Sequence, residues 1–206
     1  MKTWFLILGI GLMGFLLSCS DDDPVTGVSV QSVSIRNLAA DPATSYDPTT
    51  GAPSGFSNLV TFFRFSDSTI VPNSDSATGK WDIAFRSTTI LVNSQSSGPG
   101  QAEAFTFNGL FSDLKVISQD SIFKKDLSPT ELAIGKTWYN YDPVSYIISP
   151  KPGKVFVIKT NDNKYVKMEI LSFYKDAPAS PNAQRDPARY YTFRYVIQTD
   201  GSKKFE

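Results

Sequence analysis

The side chains that could attack, ligate or move a proton are unevenly stocked in this chain. It has no histidine and a single cysteine, Cys19. A Ser-His-Asp triad, a Cys-His pair and histidine-based zinc ligation are therefore excluded. Serine and lysine fall at the spacing of a Ser/Lys acylase at Ser112 and Lys115, Ser121 and Lys124, and Ser172 and Lys175. The companion Lys-Thr-Gly is missing, so the spacing reads as chance. "SGPGQ" (97–101) and "TGKW" (78–81) brush against phosphate-loop patterns. A working phosphate loop opens a helix, whereas Gly79-Lys80 runs into a strand-like stretch. Asp82, Glu103 and Glu169 each stand alone in a strand-like run, a pattern that marks the solvent face and not a glycosidase pair. No constellation for hydrolysis emerges, and the chain is expected not to be an enzyme. "DST" (67–69), "DSA" (75–77) and "DSI" (120–122) resemble a short O-glycosylation sequon of exported bacterial proteins.

The one cysteine has a context of its own. Lys2 precedes the apolar run "WFLILGIGLMGFLL", and Leu16-Leu17-Ser18 leads into Cys19, as in a bacterial lipobox. Residues 1–18 read as a lipoprotein signal peptide, and Cys19 as the lipidated first residue of the mature chain. An uncleaved anchor or a free thiol is the alternative. Residues 19–27 read as a tether made acidic by Asp21, Asp22 and Asp23. That acidic run resembles the signal that exports lipoproteins to the outer face of the outer membrane. The expected location is the outer membrane, lipid-anchored and facing the cell exterior.

The elements that must position any site are strands. Fifteen Phe and nine Tyr against three Met favour a pleated, half-buried surface. Net charge is zero, and no basic stripe points to nucleic acid. "SVQSVSIRNL" and "NLVTFFRFS" are β-rich, separated by a Pro/Gly/Asp/Thr loop. In "WDIAFRSTTILV", read as one run, Trp81, Ile83 and Phe85 alternate against Asp82, Ala84 and Arg86, and "EAFTF" (103–107) is its expected partner after the "SGPGQ" loop. Residues 108–137 hold a helical turn or two at most, with Ser128-Pro129-Thr130-Glu131 resembling a helix start. "KVFVIKT", "NDN" and "KYVKMEILSFY" form a hairpin that puts Val166, Met168 and Ile170 on one face. "RYYTFRYVIQ" alternates Tyr191, Phe193, Tyr195 and Ile197 against its other face, and "TDGS" turns to a short final run, Lys203 to Phe205. No helix is long enough for a parallel crossover. The expected fold is therefore one all-β domain over residues 28–206, with antiparallel strands in packed sheets.

Several long motifs, in order, resemble one family. "KWDIAFRSTTILVN", "SGPGQ", "KTWYNYDPVSYIISPKPGKVFVIKT", "KYVKMEILSFYKDAP" and "RYYTFRYVIQTDGSKKF" look like the HmuY-like haem-binding lipoproteins, from about Val28 to the end. The resemblance implies a non-catalytic outer-membrane lipoprotein that takes haem, or a related tetrapyrrole, from host haemoproteins. It also implies transfer to a TonB-dependent outer-membrane haem receptor. Members grip haem iron with two histidines, and other relatives use methionine. Here the loop "YDPVSYIISPKPG" places Tyr146 where such a ligand stands, and a phenolate can ligate haem iron. Met168 is the only methionine beyond the signal peptide, and its strand position equally suits core packing. The stretch that matches the family's other ligand region, about 109–120, has no His, Met or Tyr. Trp81 and Trp138 are candidates to line a slot for the porphyrin plate, with the "SGPGQ" loop as a wall. The alternative is a member that recognises a glycan or host protein through exposed aromatics. Self-association is left open.

Overall fold

Alternating apolar residues with aromatic and β-branched neighbours favour extended, paired backbone. A computed structural model describes Met1 and residues 30–206 of the chain. Met1 apart, the expected signal peptide, Cys19 and the acidic tether lie outside the described residues. A five-stranded sheet has the order β1 (Val33–Ala39), β13 (Ala188–Gln198), β12 (Tyr165–Tyr174), β11 (Lys154–Lys159), β8 (Glu103–Asn108). A four-stranded sheet has the order β5 (Thr69–Val71), β4 (Thr61–Arg64), β6 (Ile83–Arg86), β7 (Thr89–Val92). Two small hairpins stand apart: β2 (Ser45–Tyr46) with β3 (Pro53–Ser54), and β9 (Tyr139–Asp142) with β10 (Ile147–Pro150). Every strand pair is antiparallel. The protein is all-β, with antiparallel strands in packed sheets.

The inner faces of the two larger sheets share one core. Phe63, Ile83, Phe85 and Val92 of the smaller sheet meet Phe156, Met168, Phe193 and Tyr195 of the larger. Phe85 stacks on Phe193 at 5.6 Å, and Phe63 meets the same ring edge-on at 5.5 Å, the offset and T-shaped geometries that aromatic quadrupoles favour. As the alternation requires, Val166, Met168 and Ile170 lie on this inner face, as do Tyr191, Phe193 and Tyr195. The outer face of the larger sheet is covered too. Val155, Val157 and Val196 pack against Phe111, Leu114, Ile117 and Phe205 from irregular segments. Outside the smaller sheet, Phe62, Ala84 and Leu91 enclose Trp81.

Four local expectations give way. The run from Trp81 is a tight hairpin, β6 to β7, with the chain bending at Asp82 before the strand begins. Trp81 therefore sits on the Ala84 side of the sheet, while Ile83 and Phe85 enter the central core. "EAFTF" does not return to this hairpin. After a single bridge, Ser94 to Gln101, the chain crosses to the other sheet, and β8 pairs with β11 from Glu103–Lys159 to Asn108–Lys154. Ser128–Glu131 closes as a turn and not a helix, because Leu127 N–H already binds Glu131 O at 2.9 Å, with Ser128 bridged to Glu131. The final run is no strand; one bridge from Lys204 to Val116 seats Phe205 as a plug in the outer core.

Candidate functional site

The glycines of "SGPGQ" are the natural place to look for a ligand, because small residues let something approach closely. What approaches is the protein itself. A Cβ on Gly98 would lie 2.2 Å from Asn93 Oδ1 and 2.5 Å from Trp81 Cζ2, and one on Gly100 would lie 2.3 Å from Asn161 Oδ1. The loop is laced to a buried polar framework. Asn93 Nδ2 donates to Thr78 O at 2.9 Å and Trp81 O at 2.7 Å, and its Oδ1 accepts from Gly100 N–H at 2.9 Å. Asn161 Oδ1 accepts from Gln101 N–H at 2.7 Å. Two carboxylates underlie this framework. Asp82 accepts from Phe65 N–H at 3.0 Å and Asn161 N–H at 3.1 Å. Asp126 accepts from Val92 N–H at 2.9 Å and Ala133 N–H at 2.8 Å, and takes the Ser97 hydroxyl at 2.6 Å. Asp82 is thus interior and not on the solvent face, and burial pushes its pKa up despite those donors. The crossing between sheets needs buried acceptors, and these side chains supply them.

The residues singled out for haem contact are not brought together. Met168 is fully buried on β12, level with Phe156 and Tyr195, and packs as core. Trp138 is buried in the same core, against Tyr139, Phe173 and Tyr191, with its indole N–H on Thr88 O at 2.9 Å. Trp81 is enclosed in the outer core, 4.8 Å from the Phe62 ring, its N–H on Ser76 O at 2.9 Å. Both indoles have their polar handle satisfied inside the protein, which holds the rings as structural members.

Tyr146 is different. It ends the four-residue turn between β9 and β10 and is 68% exposed. Its φ of 58° lies in the left-handed region, uncommon for a bulky residue. The turn is set by Asp142, whose carboxylate accepts from Val144 N–H at 2.9 Å and from the Ser145 hydroxyl, contacts that hold its pKa below the ordinary value. The hairpin is fastened to the body where Ile148 N–H donates to Tyr174 Oη at 3.0 Å. Tyr146 lines a hollow of about 310 Å³ with Val144, Ser145 and Ile147 on one wall and Pro181–Gln184 on the other. Its hydroxyl makes no hydrogen bond among the described residues, so the oxygen is free to serve as a donor. No cluster of three or more His, Cys, Asp or Glu able to hold a metal occurs among the described residues.

Sequence reasoning passed over the neighbours of that hollow. The loop after β12 also borders a smaller hollow of about 130 Å³, lined by Tyr46, Phe56, Ala183 and Arg189 among others. Arg189 lies 3.7 Å over the Phe56 ring and pairs with Asp41 at 3.1 Å. Lys167 was equally hidden. It is buried on the outer face of β12, donating to Phe111 O at 3.0 Å and Leu114 O at 2.8 Å, with the Phe111 ring at 4.6 Å. Desolvation, helped by nearby Arg194, holds its pKa below the ordinary lysine value. The only cue in sequence was a lysine between apolar neighbours on the strand, a position that ordinarily faces water.

Together these features define an all-β sandwich with Tyr46, Tyr141 and Tyr146 exposed on its two small hairpins. No protein-family model matches the sequence, and no curated protein matches it. Similar solved structures include the apo form of an HmuY analogue of Tannerella forsythia, 18% identical, covering 82% of this chain and 96% of that one at a TM-score of 0.46. Another is the apo form of PinO from Porphyromonas gingivitis, 13% identical over 84% of this chain and 99% of that one, TM-score 0.46. A Bacteroides vulgatus protein provisionally described as HmuY-like and heme-binding is 11% identical over 82% of this chain and 91% of that one, with the same score.

Proposed function

We propose that the protein is a surface lipoprotein that binds haem or a related tetrapyrrole and hands it to an outer-membrane receptor for iron uptake, without catalysis. The motifs shared with HmuY-like proteins support this reading, and one observation carries it to a residue. Among the described residues Tyr146 is the only aromatic one held at positive φ and its hydroxyl makes no hydrogen bond, and it borders a hollow. A phenolate is a competent axial ligand for haem iron. The fit is one-sided: Tyr146 supplies one oxygen, while Met168, Trp81 and Trp138 are sealed in the interior. Affinity must come largely from apolar contact with the macrocycle. In this reading Cys19 carries the lipid anchor, the acidic tether faces the cell exterior, and a TonB-dependent receptor takes the cargo.

The test is a haemin titration of the purified protein lacking the signal peptide, followed at the Soret band under oxidising and reducing conditions. A saturable one-to-one spectrum whose ligand-sensitive bands shift in Tyr146→Phe supports the proposal. Featureless, non-saturating spectra would sink it. A second reading, recognition of a glycan or host protein through aromatics, draws on the exposure of Tyr46 at 42%, Tyr141 at 52% and Tyr146 at 68%. Glycan-array binding lost in Tyr46→Ala and Tyr141→Ala, with no Soret band, would favour it.

A further inference from the structure

A third hollow, of about 450 Å³, lies where the β6–β7 hairpin meets the loop 129–137, and it shares no lining residue with the hollow beside Tyr146. Its lining carries two cations, Arg86 and Lys136, and no carboxylate. That is not a consequence of overall basicity, because the chain is neutral. Four of the six arginines, Arg64, Arg185, Arg189 and Arg194, each hold a carboxylate, whereas Arg86, like Arg36, has no ion-pair or side-chain hydrogen-bond partner among the described residues, and neither has Lys136. Of the acids nearest in sequence, Asp82 and Asp126 are buried and bound to backbone N–H groups, and Glu131 is exposed and does not line the hollow.

The walls are built before any ligand arrives. Arg86 pairs across the hairpin with Thr89, and the loop is clamped to β7 by Ile90 N–H to Gly135 O at 3.0 Å and Gly135 N–H to Ile90 O at 2.9 Å. Gly135 holds φ at +59°, so the clamp uses a residue that tolerates that backbone. The clamp fixes the backbone of both walls, and from it the Arg86 and Lys136 side chains extend exposed and without a partner among the described residues. Beside them stand the Thr89, Thr130 and Thr137 hydroxyls, with Pro129, Leu132 and Ile134 as apolar surface. Of these hydroxyls, Thr137 donates to Ile134 O at 2.8 Å, leaving its oxygen lone pairs as acceptors. Paired cations, hydroxyls and a small apolar surface in one hollow match an acidic group carried on a polyhydroxylated, sugar-sized body.

We propose that the Arg86–Lys136 hollow binds the carboxylate or sulfate group of an acidic saccharide, independently of any tetrapyrrole. The experiment is calorimetric titration of the haem-free protein with N-acetylneuraminic acid, with glucosamine 6-sulfate and with inorganic sulfate. Saturable binding of at least one sugar acid is expected, weakening with added salt. Arg86→Met and Lys136→Met should each weaken it by roughly tenfold, the scale of one lost charge-assisted hydrogen bond. Arg36→Met, an exposed arginine outside the lining, should leave it unchanged. Binding of one acid and not the other identifies the recognised group. No saturable binding of either sugar at millimolar concentration overturns the proposal, as does binding that survives the double substitution. Inorganic sulfate bound as tightly as the sugars would overturn the assignment of a sugar-sized ligand.

Discussion

The fit of the "SGPGQ" loop can be tested with one methyl group. Gly98 has no positive φ, so Gly98→Ala imposes no backbone strain, and alanine narrows the unfolded ensemble by an amount that favours folding by up to about 1 kcal/mol. Space opposes it. The new Cβ would fall 2.2 Å from Asn93 Oδ1 and 2.5 Å from Trp81 Cζ2. Neither neighbour is a loose end: both residues are fully buried, Asn93 bonded to Thr78 O and Trp81 O, Trp81 bonded to Ser76 O. Overpacking of this kind costs about 1–3 kcal/mol. If the Asn93 amide swings away, one or two of its hydrogen bonds go with it, at about 1 kcal/mol each. The net expectation is a destabilisation of about 2–4 kcal/mol, large against a typical total of about 5–15 kcal/mol. For a domain of this size that lowers Tm by roughly 4–16 °C. Urea unfolding followed by tryptophan fluorescence reads the change, with Gly79→Ala as control, since nothing lies within 4 Å of a Cβ there. A midpoint for Gly98→Ala equal to that of Gly79→Ala would refute the argument that this loop is closed against the interior.

The other predictions concern single groups. Tyr146→Gly should raise stability by up to about 1 kcal/mol, because glycine adopts the left-handed turn without the Cβ penalty, yet should weaken haemin binding and shift its spectrum. Loss of both stability and binding would mean that the tyrosine serves the turn alone. Asp82 has a raised folded pKa, caused first by desolvation, so the native state holds its proton more tightly than the unfolded chain. Its contribution to stability is therefore full below the ordinary value of 3.8 and is lost as pH rises through the raised value. Asp82→Asn should remove that component from urea midpoints measured between about pH 4 and 7. It should also cost about 1–3 kcal/mol at neutral pH, because one amide oxygen cannot replace two carboxylate oxygens for Phe65 and Asn161 N–H. Lys167→Met keeps the apolar stem but leaves the Phe111 and Leu114 carbonyls unpaired, for a loss of about 1–3 kcal/mol. Hydrogen exchange should quicken at Ile117 and Phe205 N–H, which bond to Lys203 O and Lys115 O, while β11 stays protected. Unchanged exchange there would show that Lys167 is not the clasp.

Much of the sheet was legible because it rests on alternation. From Val166 to Ile170 and from Tyr191 to Ile197 every second residue is large and apolar, and a slip by one would turn the whole set to solvent, so the inner face there follows from the letters. The same rule failed in "WDIAFR" because its first residue is not in the strand. A bend at Asp82 resets the phase, and the cause of the bend is a carboxylate bonded to Phe65 and Asn161, the latter 79 positions away. The partner of "EAFTF" failed for a related reason. Hairpin logic favours the nearest strand, but the loop crosses to the other sheet by donating hydrogen bonds to Asn93, Asn161 and Asp126, residues scattered along the chain. Buried polar side chains that serve distant backbone have no period, and period is what a single sequence displays.

The candidate sites were less legible still, and the reason is spatial. Tyr146 could be singled out from the sequence, but its hollow is closed by Pro181–Gln184, which follow it by 35 positions or more and carry no pattern of their own. Ligand pockets usually span about 300–1,000 Å³, so a hollow of 310 Å³ holds only part of a porphyrin plate. Its two walls belong to a hairpin turn and a separate loop, and no strand pairing fixes the distance between them. In the proposed haem-binding reading, a chain without histidine draws affinity from contact area as well as from the Tyr146 phenol. Such area is available here only if the two walls adjust to the plate. In the proposed haem-binding reading Tyr146 is the donor to the iron, and it is also the residue of the turn that lines the hollow with Pro181–Gln184.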